Sequence, residues 1–197
     1  MTTPGQVDQG ATVSADFFAR NTQMEIHKEL MNSRPVTGKV EWIGVAAERM
    51  APMQVKTSVQ LIEQAGIEGE HHARLGGSSK RQVTLIQHEH LSVIQSLLDR
   101  KDVTVSPELL RRNLVVSGIN LNVLRHSTFR IGTALLKGTG SCPPCSRMDA
   151  NLGKGGYAAM VGHGGITAIV LENGSVTCGD SVRIEITDAG TPNEDEE

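Results

Sequence analysis

The chain has 197 residues and a formal charge of −3, long enough for one domain with a sizeable core and without the overall basic field that draws in nucleic acid. No apolar run approaches the roughly 20 residues that cross a bilayer as a helix, and residues 1–10 do not resemble a secretory signal, so a cytoplasmic protein with no membrane association is expected. Three cysteines cannot all pair, and so few in this length describe reduced thiols rather than a disulfide scaffold.

Residues 1–14 are mostly Thr, Gln, Gly and Asp, and residues 187–197 finish in Pro-Asn-Glu-Asp-Glu-Glu. Neither composition buries enough surface to offset ordering entropy, so both read as frayed tails. Residues 15–31 carry Phe17, Phe18, Met24, Ile26, Leu30 and Met31 at roughly helical spacing before the stop Asn32-Ser33-Arg34-Pro35. Phe17 and Phe18 suit a dimer seam as well as an intrachain groove, which leaves a homodimer open. The organisation expected is a tail and helical extension over 1–37, the main domain over 38–187, and an acidic disordered tail over 188–197.

From Gly38 onward the pattern turns to short strands. Residues 39–46, 54–62 and 82–86 alternate in the manner of half-buried strands, with Val55, Val59 and Leu61 the apolar members of the second. Residues 88–99 place Leu91, Ile94 and Leu98 on one helical face, and Ser106-Pro107-Glu108 joins an N-cap, a first-turn proline and an acid matched to the helix dipole. Strands follow at 113–116, 128–136, 168–171, 175–176 and 182–186. Asn173-Gly174 is expected to form a type I′ hairpin turn, and Gly179-Asp180 a second turn. Many short strands punctuated by glycine define a mainly β fold, a barrel or sandwich with helices at its edges.

Two of the three cysteines share one loop, Thr139-Gly140-Ser141-Cys142-Pro143-Pro144-Cys145-Ser146-Arg147-Met148. A thiolate is a soft ligand and a strong nucleophile, so chemistry is expected here. A thioredoxin-like dithiol needs a long helix from the first cysteine, and Asn151, Gly153, Gly155 and Gly156 make 146–156 poor helix material. No cysteine–histidine set has zinc spacing. In His88-Glu89-His90 the two imidazoles, two apart on a helix, point to different faces and read as a solvated helix start. His71 and His72 read as a pair of exposed loop histidines. Arg81, Arg111, Arg112 and Arg147 are the anion-binding candidates, with Asn113 a neutral donor, because a guanidinium offers two parallel hydrogen bonds to an oxyanion. Gly76-Gly77-Ser78-Ser79-Lys80 lacks Walker spacing and reads as a loop. His163, in Gly162-His163-Gly164-Gly165, sits where glycines permit close backbone approach to a ligand.

The ordered set Gly69-Glu70-His71-His72-Ala73, Gly76-Gly77, Arg81-Gln82-Val83-Thr84-Leu85-Ile86, Glu89-His90-Leu91, Leu110-Arg111-Arg112-Asn113-Leu114-Val115-Val116, Gly118-Ile119, the 142–147 loop, Gly162 to Gly165 and Gly179-Asp180 resembles the MOSC domain family over residues 40–186. The resemblance implies a MOSC-type β-barrel with a few peripheral helices. It implies a molybdenum–pterin cofactor with Cys145 as metal ligand and catalytic centre, since Cys145 matches the family's cysteine and Cys142 is extra. Arg81, Arg112, Asn113, Arg147 and His163 become the candidate cofactor-binding residues. Glu70-His71 stands where the family more often shows Asp-Arg, which keeps the acid and loses a cation. The implied activity is reduction of a small N-hydroxylated substrate, with electrons from a separate reductase. The alternatives are a sulfur carrier, with a Cys145 persulfide supplied by a pyridoxal-phosphate cysteine desulfurase, and a non-catalytic cofactor-binding module.

Overall fold

The structure, a computed structural model, describes residues 37–73 and 79–185; the helix read over 15–31 and the acidic tail lie outside the described residues. Strand β1 (Gly38–Val45) opens the fold with Val40 and Ile43 fully buried and Lys39 and Glu41 exposed. Val40 and Ile43 are three apart, yet both join the interior, because the register against its neighbour shifts between Val40 and Trp42. Such a bulge adds one residue and re-aims every later side chain.

Around the chain follow β2 (Gln54–Lys56), β3 (Ser58–Ile62), β4 (Gly66–Ile67), β5 (Val83–Gln87), α1 (Glu89–Leu98), α2 (Pro107–Leu110), β6 (Leu114–Ser117), a 3₁₀ turn (Leu121–Leu124), β7 (Thr128–Ile131), β8 (Ala134–Ser141), α3 (Arg147–Leu152), α4 (Gly156–Met160), β9 (Ile166–Glu172), β10 (Gly174–Thr177) and β11 (Ser181–Ile184). Seven strands close a barrel in the order β1-β11-β7-β8-β9-β5-β6 and back to β1, with β2 attached outside the ring along β1. All pairs in the ring are antiparallel except β5–β6. A parallel pair needs a crossover, and α1 and α2 supply it. Strands β10, β3 and β4 form a separate small sheet.

Inside the barrel lie Val40, Ile43, Leu85, Leu114, Phe129, Ile131, Leu136 and Val182, all fully buried. Each such side chain contributes about 1.5–3 kcal/mol of transfer free energy. Strands β5 and β6 are buried on both faces: Leu85 and Leu114 face the interior, while Ile86 and Val115 join Ile94, Leu98, Leu110, Met148, Leu152 and Met160 in a second cluster beneath the helices. The fold is therefore the expected mainly β barrel with a few helices at its edge.

Several elements differ from the sequence reading. Residues 54–62 divide at Thr57, β2 pairing with β1 and β3 with β10 and β4. Residues 128–136 hold a hairpin, β7 against β8, turned at Gly132, whose φ of +55° glycine adopts freely. Asn173-Gly174 makes no type I′ turn, since neither residue has positive φ. There the chain passes from β9, paired to β8, into β10, paired to β3, and Asn173 Oδ1 accepts from the Glu63 N–H at 2.6 Å. Thr177 and Asp180 do form the second expected turn, Asp180 N–H to Thr177 O at 3.0 Å. Residues 146–156 carry α3, six residues long, where little helix was expected. Burial of Met148 and Leu152 offsets weak propensity, and Gly153 ends the helix well short of what a thioredoxin-like dithiol requires.

Candidate cofactor-binding cleft

At one end of the barrel, four connections meet around a cleft of about 230 Å³. The β1–β2 segment contributes Ala46, Arg49 and Met53; the segment between β4 and β5 contributes Glu70, His71, His72, Arg81 and Gln82; the α2–β6 junction contributes Arg111, Arg112 and Asn113; and the β8–α3 segment contributes Cys145, Arg147 and Met148. Cys145 is exposed, whereas Cys142, three residues earlier, is 1 % exposed. One exposed thiol therefore shares the cleft wall with five guanidinium groups.

Arg112 is 3 % exposed and spends its donors on main-chain oxygens: Nε to Gly164 O at 2.8 Å, Nη1 to Leu110 O at 3.1 Å, and Nη2 to Cys142 O at 3.1 Å and Pro143 O at 3.4 Å. It clamps the thiol loop to the 162–165 loop and to α2. Asn113 is equally committed. Its Oδ1 accepts from Thr84 N–H at 3.1 Å and Thr84 Oγ1 at 2.7 Å, and its Nδ2 donates to Gly44 O at 3.2 Å and Glu70 Oε2 at 3.0 Å. Buried polar groups require such partners, and here they tie β1, β5, β6 and Glu70 together.

The other arginines are more open. Arg111 takes a left-handed backbone, φ +53°, uncommon for a non-glycine residue, and its Nη1 donates to Ala51 O at 2.8 Å. Burial first, then the charge of Arg147, pulls its pKa below the guanidinium norm, while Glu70 and Cys145 oppose. Arg147 leads α3 and donates from Nη1 to Arg49 O at 3.1 Å. Arg81 lines the cleft from an exposed position. Among the described residues, none of Arg49, Arg81, Arg111, Arg112 and Arg147 is ion-paired with a carboxylate. Five guanidinium groups against the single carboxylate of Glu70 leave the lining with an excess of positive charge, which favours an anionic guest.

Glu70 is buried on the cleft wall, where its Oε2 accepts from the Ala46 N–H at 2.9 Å. Its Oε1 faces both imidazoles, in contact with His71 Nδ1 and 3.3 Å from His72 Nδ1. Burial raises the Glu70 pKa, but hydrogen bonds from His72 and Ala46 and the charges of the two histidines outweigh it and hold the carboxyl below its ordinary value. His72 is exposed as expected, whereas His71 is not. The His71 side chain is 17 % exposed, its Nδ1 also meets Ala46 O at 3.0 Å, and the two rings lie 3.8 Å apart. The loop is drawn inward because Glu70 must find partners once buried.

His163 does not line the cleft; its ring meets that of His90 edge-on at 4.9 Å. The glycines beside it serve an approach of chain to chain, since a Cβ on Gly164 would stand 2.2 Å from Cys142 O. Of the six site candidates from sequence, Cys145, Arg81, Arg112, Asn113 and Arg147 line the one cleft. Arg49, Met53 and Glu70 were not among the anion or metal candidates; only adjacency in the folded chain reveals them. Residues 74–78, and with them most of the Gly76 to Lys80 loop, lie outside the described residues.

The family model of the MOSC domain matches residues 72–183, and the chain belongs to the MOSC domain family. Among solved structures it is similar to the YuaD protein from Bacillus subtilis, at 22 % identity and a TM-score of 0.67, covering 77 % of this chain and 97 % of that one. It is also similar to YiiM from Geobacillus stearothermophilus, at 16 % identity and a TM-score of 0.61 over 78 % of this chain and 77 % of that one. YiiM from Escherichia coli matches at 16 % identity and a TM-score of 0.56, over 77 % and 72 % of the two chains. These likenesses describe the shared fold. No curated protein matches.

The family is associated with the molybdenum cofactor, and the donor set fits such a group. An accessible thiol is the soft ligand a sulfur-bound molybdenum takes, and the arginines without ion-pair partners suit the phosphate of a pterin. No helix among the described residues is long and apolar enough to cross a membrane.

Proposed function

We propose that this MOSC-domain protein binds a molybdenum–pterin cofactor in the cleft and acts as an oxidoreductase on small N-hydroxylated compounds. The observation that carries this reading is the exposed Cys145 thiol on a wall with five arginines that have no carboxylate partner among the described residues. When bound, the cofactor would supply the two electrons that reduce the substrate's N–O bond and would take up its oxygen. Cys145 Sγ provides the protein ligand. Arg49, Arg81, Arg111 and Arg147 bind the anionic part, Arg111 aimed by its left-handed backbone and Arg147 by its position at the start of α3. Arg112 and Asn113 act behind them: the first holds the main chain on which Cys145 is carried, the second holds Glu70 and the barrel rim. His163 has no direct part in this scheme. Electrons come from a separate reductase.

Protein produced in a cofactor-competent host is expected to carry about one molybdenum per chain and to reduce N-hydroxylated bases with an artificial donor, Cys145→Ala losing both. A sulfur carrier would instead show cyanide-releasable sulfur without metal, and a binding module would show metal without turnover. Full metal loading in Cys145→Ala overturns the ligand assignment.

A further inference from the structure

We infer that Glu70, His71 and His72 form a binding site for one divalent transition-metal ion, of the zinc or cobalt class, on the wall of the same cleft. One donor atom from each residue lies within 4.8 Å of the other two, a spacing that a single ion bridges. The inference stands on this geometry and does not depend on the molybdenum reading.

The Glu70 side chain is 3 % exposed, and its Oε1 faces only the two imidazoles. Its other oxygen is fixed by the Ala46 N–H and by Asn113 Nδ2, the outer hydrogen bonding that orients a metal-binding carboxylate. The His71 ring is placed by Ala46 O, 3.0 Å from Nδ1; a proton on Nδ1 leaves Nε2 as the nitrogen available to an ion. His72, 53 % exposed at the side chain, closes the set from the solvent side with its ring 3.8 Å from that of His71. Two imidazoles and one carboxylate match the borderline ions and not calcium or magnesium, which prefer oxygen throughout. Three protein ligands leave at least one coordination position for water or an oxyanion, the arrangement of open rather than structural sites. That position gives onto the arginine-lined cleft, since all three residues line it.

Tag-free full-length protein, stripped with chelator, is titrated with Co²⁺ while the visible d–d absorption is followed. The expected result is saturation at about one equivalent with nitrogen–oxygen ligand bands and no thiolate charge-transfer band. His72→Gln and His72→Ala are expected to weaken Co²⁺ binding by at least about 10- to 100-fold. Thermal unfolding checks that the fold is retained, which the exposure of His72 favours. Cys145→Ala is expected to bind Co²⁺ as the parent does. Absence of saturable binding, undiminished affinity in both His72 variants, or loss of binding in Cys145→Ala with a thiolate band in the parent overturns the inference. The last result leaves the Cys145 reading standing, and failure of molybdenum loading leaves the cobalt result standing, so the two are separable.

Discussion

Arg112 donates from Nη2 to the carbonyl oxygen of Cys142 at 3.1 Å, and through this bond a buried cation fixes the loop that displays Cys145. Its Nε reaches Gly164 O and its Nη1 reaches Leu110 O, so one side chain joins three separate segments. Arg112→Ala strips these carbonyls of their partners where water is scarce. A loss of at least about 3 kcal/mol in denaturant unfolding is expected. Arg112→Lys should recover less than half of it, because an ammonium lacks the planar fork that spans all four acceptors.

Thiol reactivity should sort by depth. Cys145 and Cys178 are exposed and Cys142 is buried. With a disulfide reagent, two thiols of the native protein should react rapidly and the third only on unfolding. Cys145→Ser should leave one rapid thiol and alter stability by no more than about 0.5 kcal/mol, since surface changes are mild. In Arg112→Ala the third thiol should become reactive without denaturant, because the clamp on the loop is gone.

Acid should weaken the fold through His90. Burial first, then the charge of His163, holds the His90 pKa below the ordinary histidine value, outweighing the opposing pull of His163's backbone and of Glu89. The unfolded chain then binds this proton more readily than the native one. The stabilisation is fully present above about pH 6.5 and is lost as pH falls through the ordinary value toward the lowered one. His90→Phe should flatten the pH dependence of the unfolding midpoint between about pH 7 and pH 5, while an unchanged slope would place its origin elsewhere.

An arginine-rich cleft should be stabilised by small oxyanions. Pyrophosphate at 100 times its dissociation constant should raise stability by about 2.7 kcal/mol. The effect should fall in Arg111→Ala and Arg147→Ala and diminish with added salt, as expected of partly exposed charges. Lys137→Ala, remote from the cleft lining, should respond as the parent does.

The chain pattern alone determined that the protein is built from many short strands around an apolar interior, because alternation and turn residues act locally. It also brought out the thiol loop and the arginine-rich segment before β6, since motif order is carried by the chain itself. Where the local signal was ambiguous, tertiary pairing prevailed. Asn173-Gly174 has the composition of a hairpin turn, but β9 and β10 belong to different sheets and the chain is drawn straight between them. The site shows the same division. Arg112 and Arg147 look alike in sequence, yet closure of the barrel buries the first among carbonyl oxygens and leaves the second at the cleft. Likewise Glu70, His71 and His72 read as a loop until Ala46, just after β1, and Asn113, just before β6, bind the carboxylate. Which polar group is spent internally and which remains for a ligand depends on partners distant in sequence, and only folding brings them within hydrogen-bonding reach.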